Sequence, residues 1–221
     1  MARPRTTLCV LVSGGLDSSV LLYQLLQDRS RRLVPLYIQC GLRWEQVEGY
    51  WLRRFLQAVR TPHLAPLRIV RLPLHSLYGA HWSLTGRHLP GPRSADRAVY
   101  LPGRNMLLLS AAAILCVQHR ISTIAIGILN SNPFGDATPQ FFRRLSTCLT
   151  QALRHPLHVV TPLHRFHKVD LIRSAGEAPL ALTFSCLRPR GHQHCGRCNK
   201  CAERSRAFQA AGIADPTRYA R

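Results

Sequence analysis

Apolar and polar residues fall along the chain in blocks whose period changes. Residues 7–12 form an almost continuous apolar run ending in Ser13-Gly14-Gly15, the form of a buried parallel strand and its loop. Residues 17–28 then carry Val20, Leu21, Leu22, Leu25 and Leu26 in a helix-like pattern. Residues 33–39 and 67–72 predict the second and third strands. Between them, Val47, Trp51, Phe55 and Val59 stand at four-residue steps with Arg53 and Arg54 interleaved, which predicts an amphipathic helix over 44–60. Periodicity fails over 75–102, where Gly, Pro, His and Trp mix, and a long irregular segment inside a compact domain is usually functional. Its histidines, His75, His81 and His88, read as surface-loop residues with a lid or substrate contact as the alternative. The pattern resumes with helices over 105–119, 139–153 and 166–175 and strands over 122–128 and 157–160. Strands alternating with helices predict an α/β fold: a doubly wound, mainly parallel five-stranded sheet with helices on both faces. Such sheets bind ligands beyond the carboxyl ends of their strands, where strand order reverses. The unusual segments 13–19, 101–105 and 130–136 can all reach that edge.

Composition narrows the class. At 221 residues, with 46% hydrophobic and 18% charged content, the chain lies outside the disordered range. No apolar run reaches bilayer length, so no membrane association is expected. The basic start, Met1-Ala2-Arg3-Pro4-Arg5, is followed by an apolar run too short for a signal sequence, and a cytoplasmic protein is expected. The formal charge of +20 leaves a nucleic-acid partner open. It does not favour one: Lys168 and Lys200 are the only lysines, and the arginines are spread rather than gathered into a patch.

The candidate chemistry begins in the loop Ser13-Gly14-Gly15-Leu16-Asp17-Ser18-Ser19. Glycines allow a sharp turn and close backbone approach to a ligand. N–H groups at the start of the following helix then point at an anion, and the hydroxyls of Ser13, Ser18 and Ser19 add donors. Asp17 beside phosphates calls for an intervening cation, and Mg²⁺ commonly bridges phosphates and one carboxylate. The Lys of the Walker pattern is missing, which disfavours a kinase-like or GTPase-like loop. This string, placed after the first strand, resembles the PP-loop of the N-type ATP pyrophosphatases. That resemblance implies a site for the pyrophosphate that leaves as AMP is transferred to a substrate oxygen.

Eight cysteines divide into two groups. Cys9, Cys40, Cys116 and Cys148 are scattered and read as small core residues. Cys186, Cys195, Cys198 and Cys201 supply four thiolates, enough to close a tetrahedral site. His192 and His194 stand near enough in sequence to replace one of them. Zinc is the expected ion, with an iron–sulfur cluster or disulfides as alternatives. Residues 185–199 are almost without apolar side chains, so a structural ion would order them; zinc contributes roughly 10–16 kcal/mol in small peptides. The expected organisation is a nucleotide-binding α/β domain over 1–182, with a small zinc-binding segment and C-terminal helix over 183–221 packed on it.

Several further segments fall in order with these motifs: Tyr100-Leu101-Pro102-Gly103-Arg104-Asn105, Thr161-Pro162-Leu163 followed by Lys168, and Leu182-Thr183-Phe184-Ser185-Cys186. Together, from Val10 to about Phe208, they resemble the 7-cyano-7-deazaguanine synthases of queuosine biosynthesis. The resemblance implies an adenine nucleotide alpha-hydrolase-like fold. It also implies an ATP-dependent, AMP-forming ligase acting on ammonia and a 7-deazaguanine carboxylate, through adenylated carboxylate and amide. Arg104 and Lys168, with Asp17, are the candidate catalytic residues, the two cations standing near the α-phosphate. The chain departs from the family where an Asp-Cys-Arg-Pro-Glu-Phe type run reads Asp136-Ala137-Thr138-Pro139-Gln140-Phe141, and where 40–45 is less polar than usual. Those departures bear on the acceptor, and two alternatives stand beside the synthase: a related ligase joining the carboxylate to another amine such as a protein N-terminus, and a PP-loop tRNA-modifying enzyme. A homodimer is left open.

Overall fold

The computed structural model describes residues 6–220; the basic residues 1–5 lie outside the described residues. Five strands, β1 (Thr6–Leu11), β2 (Arg31–Gln39), β3 (Arg68–Arg71), β4 (Thr123–Ala125) and β5 (His158–Val160), form one sheet of order β3-β2-β1-β4-β5. Every strand pair is parallel. Among the described residues eight α-helices accompany them: α1 (Leu16–Leu26), α2 (Glu45–Ala58), α3 (His75–Tyr78), α4 (Trp82–Thr85), α5 (Arg104–Gln118), α6 (Pro139–Leu153), α7 (Lys168–Arg173) and α8 (Asn199–Ala211).

Because successive strand residues face opposite ways, β1 feeds two cores. Cys9 and Leu11 join Leu36, Ile38 and Ile124 under α5 and α6, whereas Leu8, Val10 and Val12 join Leu33 and Tyr37 under α1, α2, α7 and α8. Helices therefore cover both faces, as the continuous apolar strands require. The C-terminal helix shares the second core through Ala207, Phe208 and Ala211.

Three expectations change in detail. The fourth strand stops at Ala125, since Gly127 follows and the chain turns toward the loop at 13–19. Helix α2 does not bury the stripe of Val47 and Trp51; its buried residues are Glu45, Glu48, Gly49, Leu52 and Phe55, so two carboxylates stand on the inner face. Cys9, Cys40 and Cys116 are core residues, but Cys148 is exposed, being on the outer side of α6. The segment without periodicity contains the single turns α3 and α4 and a 3-10 turn at Asp96–Val99.

Candidate active site and metal centre

The strand order reverses between β1 and β4, and the glycine loop leaves β1 at that point. Gly14 has φ +78°, and a Cβ there would stand 3.1 Å from the Glu48 carbonyl oxygen. Glycine therefore serves both the turn and the close approach. Its own carbonyl accepts from the Phe184 N–H at 2.7 Å, which ties the loop to the segment entering the cysteine cluster. Within the loop, the Ser13 N–H donates to Ser18 Oγ at 3.1 Å and Ser18 Oγ donates to the Gly15 carbonyl at 3.2 Å. Gly15 caps α1 without a side chain, so the backbone start of the helix faces the crevice. Ser19 is buried and its Oγ has no partner. Across the crevice, a Cβ on Gly127 would come within 3.2 Å of the Asp17 and Ser18 backbone, so β4 approaches the loop as closely as a glycine permits.

Four charges cross this crevice in a line. Lys168 Nζ donates to both Asp17 oxygens at 2.7 and 2.8 Å and lies 3.2 Å from Glu203 Oε1, while Lys200 Nζ lies 2.6 Å from Glu203 Oε2. Burial opposes the charge on Lys168, but Asp17 and Glu203 outweigh it and raise its pKa. Burial likewise works against the Glu203 carboxylate, and the two lysines reverse this and hold it down to about 2. The Asp17 charge is thus met by Lys168 rather than left facing the crevice alone. Lys200 stands between Cys198 and Cys201, at the start of α8, so the cysteine segment delivers a cation into the crevice.

The crevice opens into a cavity of about 300 Å³, walled by Ser13, Gly15 to Ser18, Lys168, Lys200 and Glu203. Tyr37, Glu48, Trp44, Trp82, Arg104 and Phe134 also line it. Arg104 is the first residue of α5, and its buried Nε has no partner. Asp136 lines the cavity too and accepts from the Asn105 N–H at 2.9 Å, fixing the start of α5 to the turn after β4. Glu48 is buried, and its Oε2 accepts from the Tyr37 hydroxyl at 3.0 Å. Burial raises its pKa to about 7 against the opposing influence of Arg104 and of donors on Tyr37 and Trp44. The neighbouring Glu45 accepts from the N–H groups of Cys40 and Gly41, and so closes the end of β2.

Sequence reasoning named the loop, Arg104, Lys168 and the cysteines. It missed Gly127, Glu48, Lys200 and Glu203. The available signals were faint: Lys200 is one of two lysines and lies between two cysteines, and Glu48 falls in register with Leu52 and Phe55. None of His75, His81 and His88 lines the cavity; from that segment Trp82, Val99 and Leu101 do.

Cys186, Cys195, Cys198 and Cys201 are all buried, with their sulfurs within 4.8 Å of one another. Cys195 Sγ to Cys201 Sγ is 3.9 Å and Cys198 Sγ to Cys186 Sγ is 4.0 Å. The backbone N–H groups of Leu187, Arg188, Cys195 and Arg197 point at these sulfurs at 3.3–3.5 Å, an arrangement that favours thiolates. Neither histidine takes a ligand position. His194 Nε2 accepts from the Ser185 N–H at 3.1 Å, and exposed His192 stacks on Tyr50 at 3.9 Å. Buried Arg204 lines the cavity but donates to Thr217, Thr183 and the Leu180 carbonyl. It is thus committed to holding the 180–184 segment against the glycine loop.

A doubly wound parallel sheet, a glycine loop at its switch point and four cysteines grouped as a metal ion would need them define an α/β protein with an added cysteine-bearing segment. The chain belongs to the family described as Queuosine biosynthesis protein QueC, which it matches over residues 7–212. Relatives named 7-cyano-7-deazaguanine synthase include that of Anaeromyxobacter dehalogenans, 31% identical over 96% of this chain and 95% of its own length. That of Methanopyrus kandleri is 31% identical over 96% and 98%, and that of Leptospira interrogans 28% identical over 93% and 88%. Among solved structures, the fold is shared with the U34-tRNA thiolase NcsA of Methanococcus maripaludis, described with its 4Fe–4S cluster. The TM-score there is 0.51, at 12% identity over 95% of this chain and 69% of that one. A protein described as a predicted subunit of tRNA methyltransferase from Methanocaldococcus jannaschii gives a TM-score of 0.50, at 18% identity over 78% and 75%.

Proposed function

We propose that this chain is an ATP-dependent ligase that converts 7-carboxy-7-deazaguanine and ammonia to 7-cyano-7-deazaguanine. The observation that carries the reading is the convergence of the glycine loop, Lys168, Lys200 and Arg104 on one cavity, in a chain whose relatives are named for that product. A substrate carboxylate oxygen attacks the α-phosphorus of ATP, expelling pyrophosphate and forming an acyl adenylate. Ammonia adds to the acyl carbon, AMP leaves and a proton is lost, which gives the amide. The amide oxygen attacks a second ATP in the same way. Loss of the nitrogen-bound protons and of AMP then leaves the nitrile. The loop N–H groups and serine hydroxyls hold the leaving pyrophosphate. Lys168 and Lys200 face its charge, and Arg104 lines the same cavity on the side of the base. ATP enters with Mg²⁺, which neutralises phosphate charge.

The four cysteines fit one zinc ion. Zinc–sulfur bonds of 2.3 Å at tetrahedral angles set sulfurs about 3.8 Å apart; two of the pairs here stand at 3.9 and 4.0 Å and all lie within 4.8 Å. A four-iron cluster gives each thiolate its own iron and spreads the sulfurs further. With four protein ligands the ion has no open position for substrate, which supports a structural role.

The test is product analysis after incubation with ATP, Mg²⁺, ammonium and 7-carboxy-7-deazaguanine. AMP, pyrophosphate and a nitrile in a ratio of two AMP per nitrile are expected. Absence of AMP sinks the reading, and AMP with an amide only shifts it to the ligase alternative.

A further inference from the structure

The cavity lining is of two chemical kinds. Around the glycine loop it is cationic and backbone-lined, as a polyphosphate needs. Beside it, the side chains of Glu48 and Arg104 line the same cavity without full partners. Glu48 is 8% exposed; the Tyr37 hydroxyl donates to its Oε2 at 3.0 Å, and the Trp44 indole N–H acts on the carboxylate without making a full hydrogen bond. Arg104 Nε is buried with no acceptor. No ion pair joins the two side chains among the described residues, although Arg104 is near enough to favour the Glu48 carboxylate. Leaving a buried charge so incompletely paired costs several kcal/mol in general, so the arrangement suits a ligand that supplies what is missing. Trp44 and Trp82, stacked at 5.8 Å and 20°, and Phe134 line the same cavity and give it flat apolar surface.

A group that completes both partners must donate to a carboxylate and accept from a guanidinium. A planar lactam with adjacent N–H and C=O does both, and an amino group beside the N–H adds a second donor in the same plane. A carboxylate takes such a pair of N–H groups side by side, as it takes the paired N–H groups of arginine. An adenine edge offers only one exocyclic donor beside an acceptor nitrogen and would set a lone pair against the carboxylate. We propose that Glu48 is the specificity residue for the heterocyclic substrate, accepting from the N–H edge of a guanine-type base while Arg104 donates to its carbonyl oxygen. The proposal rests on the synthase reading above and divides the lining of its cavity between two ligands: phosphates on the loop N–H groups and lysines, lactam edge on the Glu48 and Arg104 side chains.

Such recognition separates analogues strongly, because a site built to hydrogen-bond a donor rejects a ligand lacking it. The test is steady-state kinetics of the full chain with its metal, for wild type and Glu48→Gln. The readouts are AMP release with 7-carboxy-7-deazaguanine and with its analogue lacking the 2-amino group. For wild type, the analogue should lose at least tenfold in kcat/KM. Glu48→Gln should raise the KM for the full base at least tenfold, leave the KM for ATP within twofold, and shrink the discrimination against the analogue. Glu48→Asp should recover part of the loss, which a packing role would not require. An unchanged KM for the base in Glu48→Gln overturns the assignment, and so does a rise confined to the KM for ATP. If wild type itself releases no AMP, the synthase reading has failed first. In that case, direct calorimetric titration of guanine-type base into wild type and Glu48→Gln decides the proposal: equal affinities, or binding to neither, overturn it.

Discussion

At the residue scale, the unusual positions are those where a side chain works against its surroundings. Glu48 is the clearest. Its folded pKa of about 7 lies above the usual glutamate value of 4.5, so the folded state holds its proton more tightly than the unfolded chain. Stability from this group is therefore full below about pH 4.5 and declines as pH rises through 7, by an amount on the order of 3 kcal/mol. Glu48→Gln removes that decline. The melting temperature of the variant relative to wild type is expected to rise between pH 4.5 and 8, and a flat difference across that range would contradict the buried position of the carboxylate. Gly127 works through space rather than charge. A methyl group there would meet the Asp17 and Ser18 backbone at 3.2 Å, so Gly127→Ala should destabilise by about 1–3 kcal/mol in urea unfolding and weaken nucleotide binding together with it. Neither residue announced itself in the sequence. A glycine after a short strand looks like any turn, and a glutamate on a helix looks solvated until its neighbours are known.

At the element scale, the boundaries of strands and long helices were legible because this sheet is buried on both faces and its strands are nearly unbroken apolar runs. Helix α2 was legible as a helix but not in its facing, since the stripe of Val47 and Trp51 is only half-buried while Glu45 and Glu48 turn inward. Backbone N–H groups at Cys40 and Gly41 and the Tyr37 hydroxyl take the place of apolar contact there. Short turns within 75–102 had no period to read. The cysteine segment is an element of a different kind, since on the proposed reading its order would come from ligation. Removing the metal with a chelator, or substituting Cys195→Ser, should release the start of α8 and with it Lys200. The expected result is a loss of ATP affinity at least as large as that of Lys200→Ala. An apoprotein that binds ATP as well as the metal-bound protein would separate the two sites. Lys168→Ala should cost more than a surface ion pair, about 2–3 kcal/mol, because Asp17 and Glu203 lose their shared cation in a part-buried site. The cost should shrink toward acid pH: Glu203, held down to about 2, lends stability that is present above about 4.5 and lost as pH falls toward 2.

At the scale of the whole molecule, the site is drawn from the ends of β1 and β4, the starts of α1, α5 and α7, and the segment that carries the cysteines. The glycine loop and the cysteine spacing were legible because each is local. The line from Asp17 through Lys168 and Glu203 to Lys200 was not, because its members are brought together only by the sheet order. Asp17 and Lys168 alone are 151 residues apart. This has a bearing on the chain as it is synthesised. The glycine loop proposed to grip phosphate leaves the ribosome before the cations that would share the charge, and the clamp at Glu203 comes later still. On the proposed function, a growing chain would carry a half-built nucleotide site while everything between Asp17 and Lys168 is made, and the site would be complete only once Glu203, just past Cys201, has emerged.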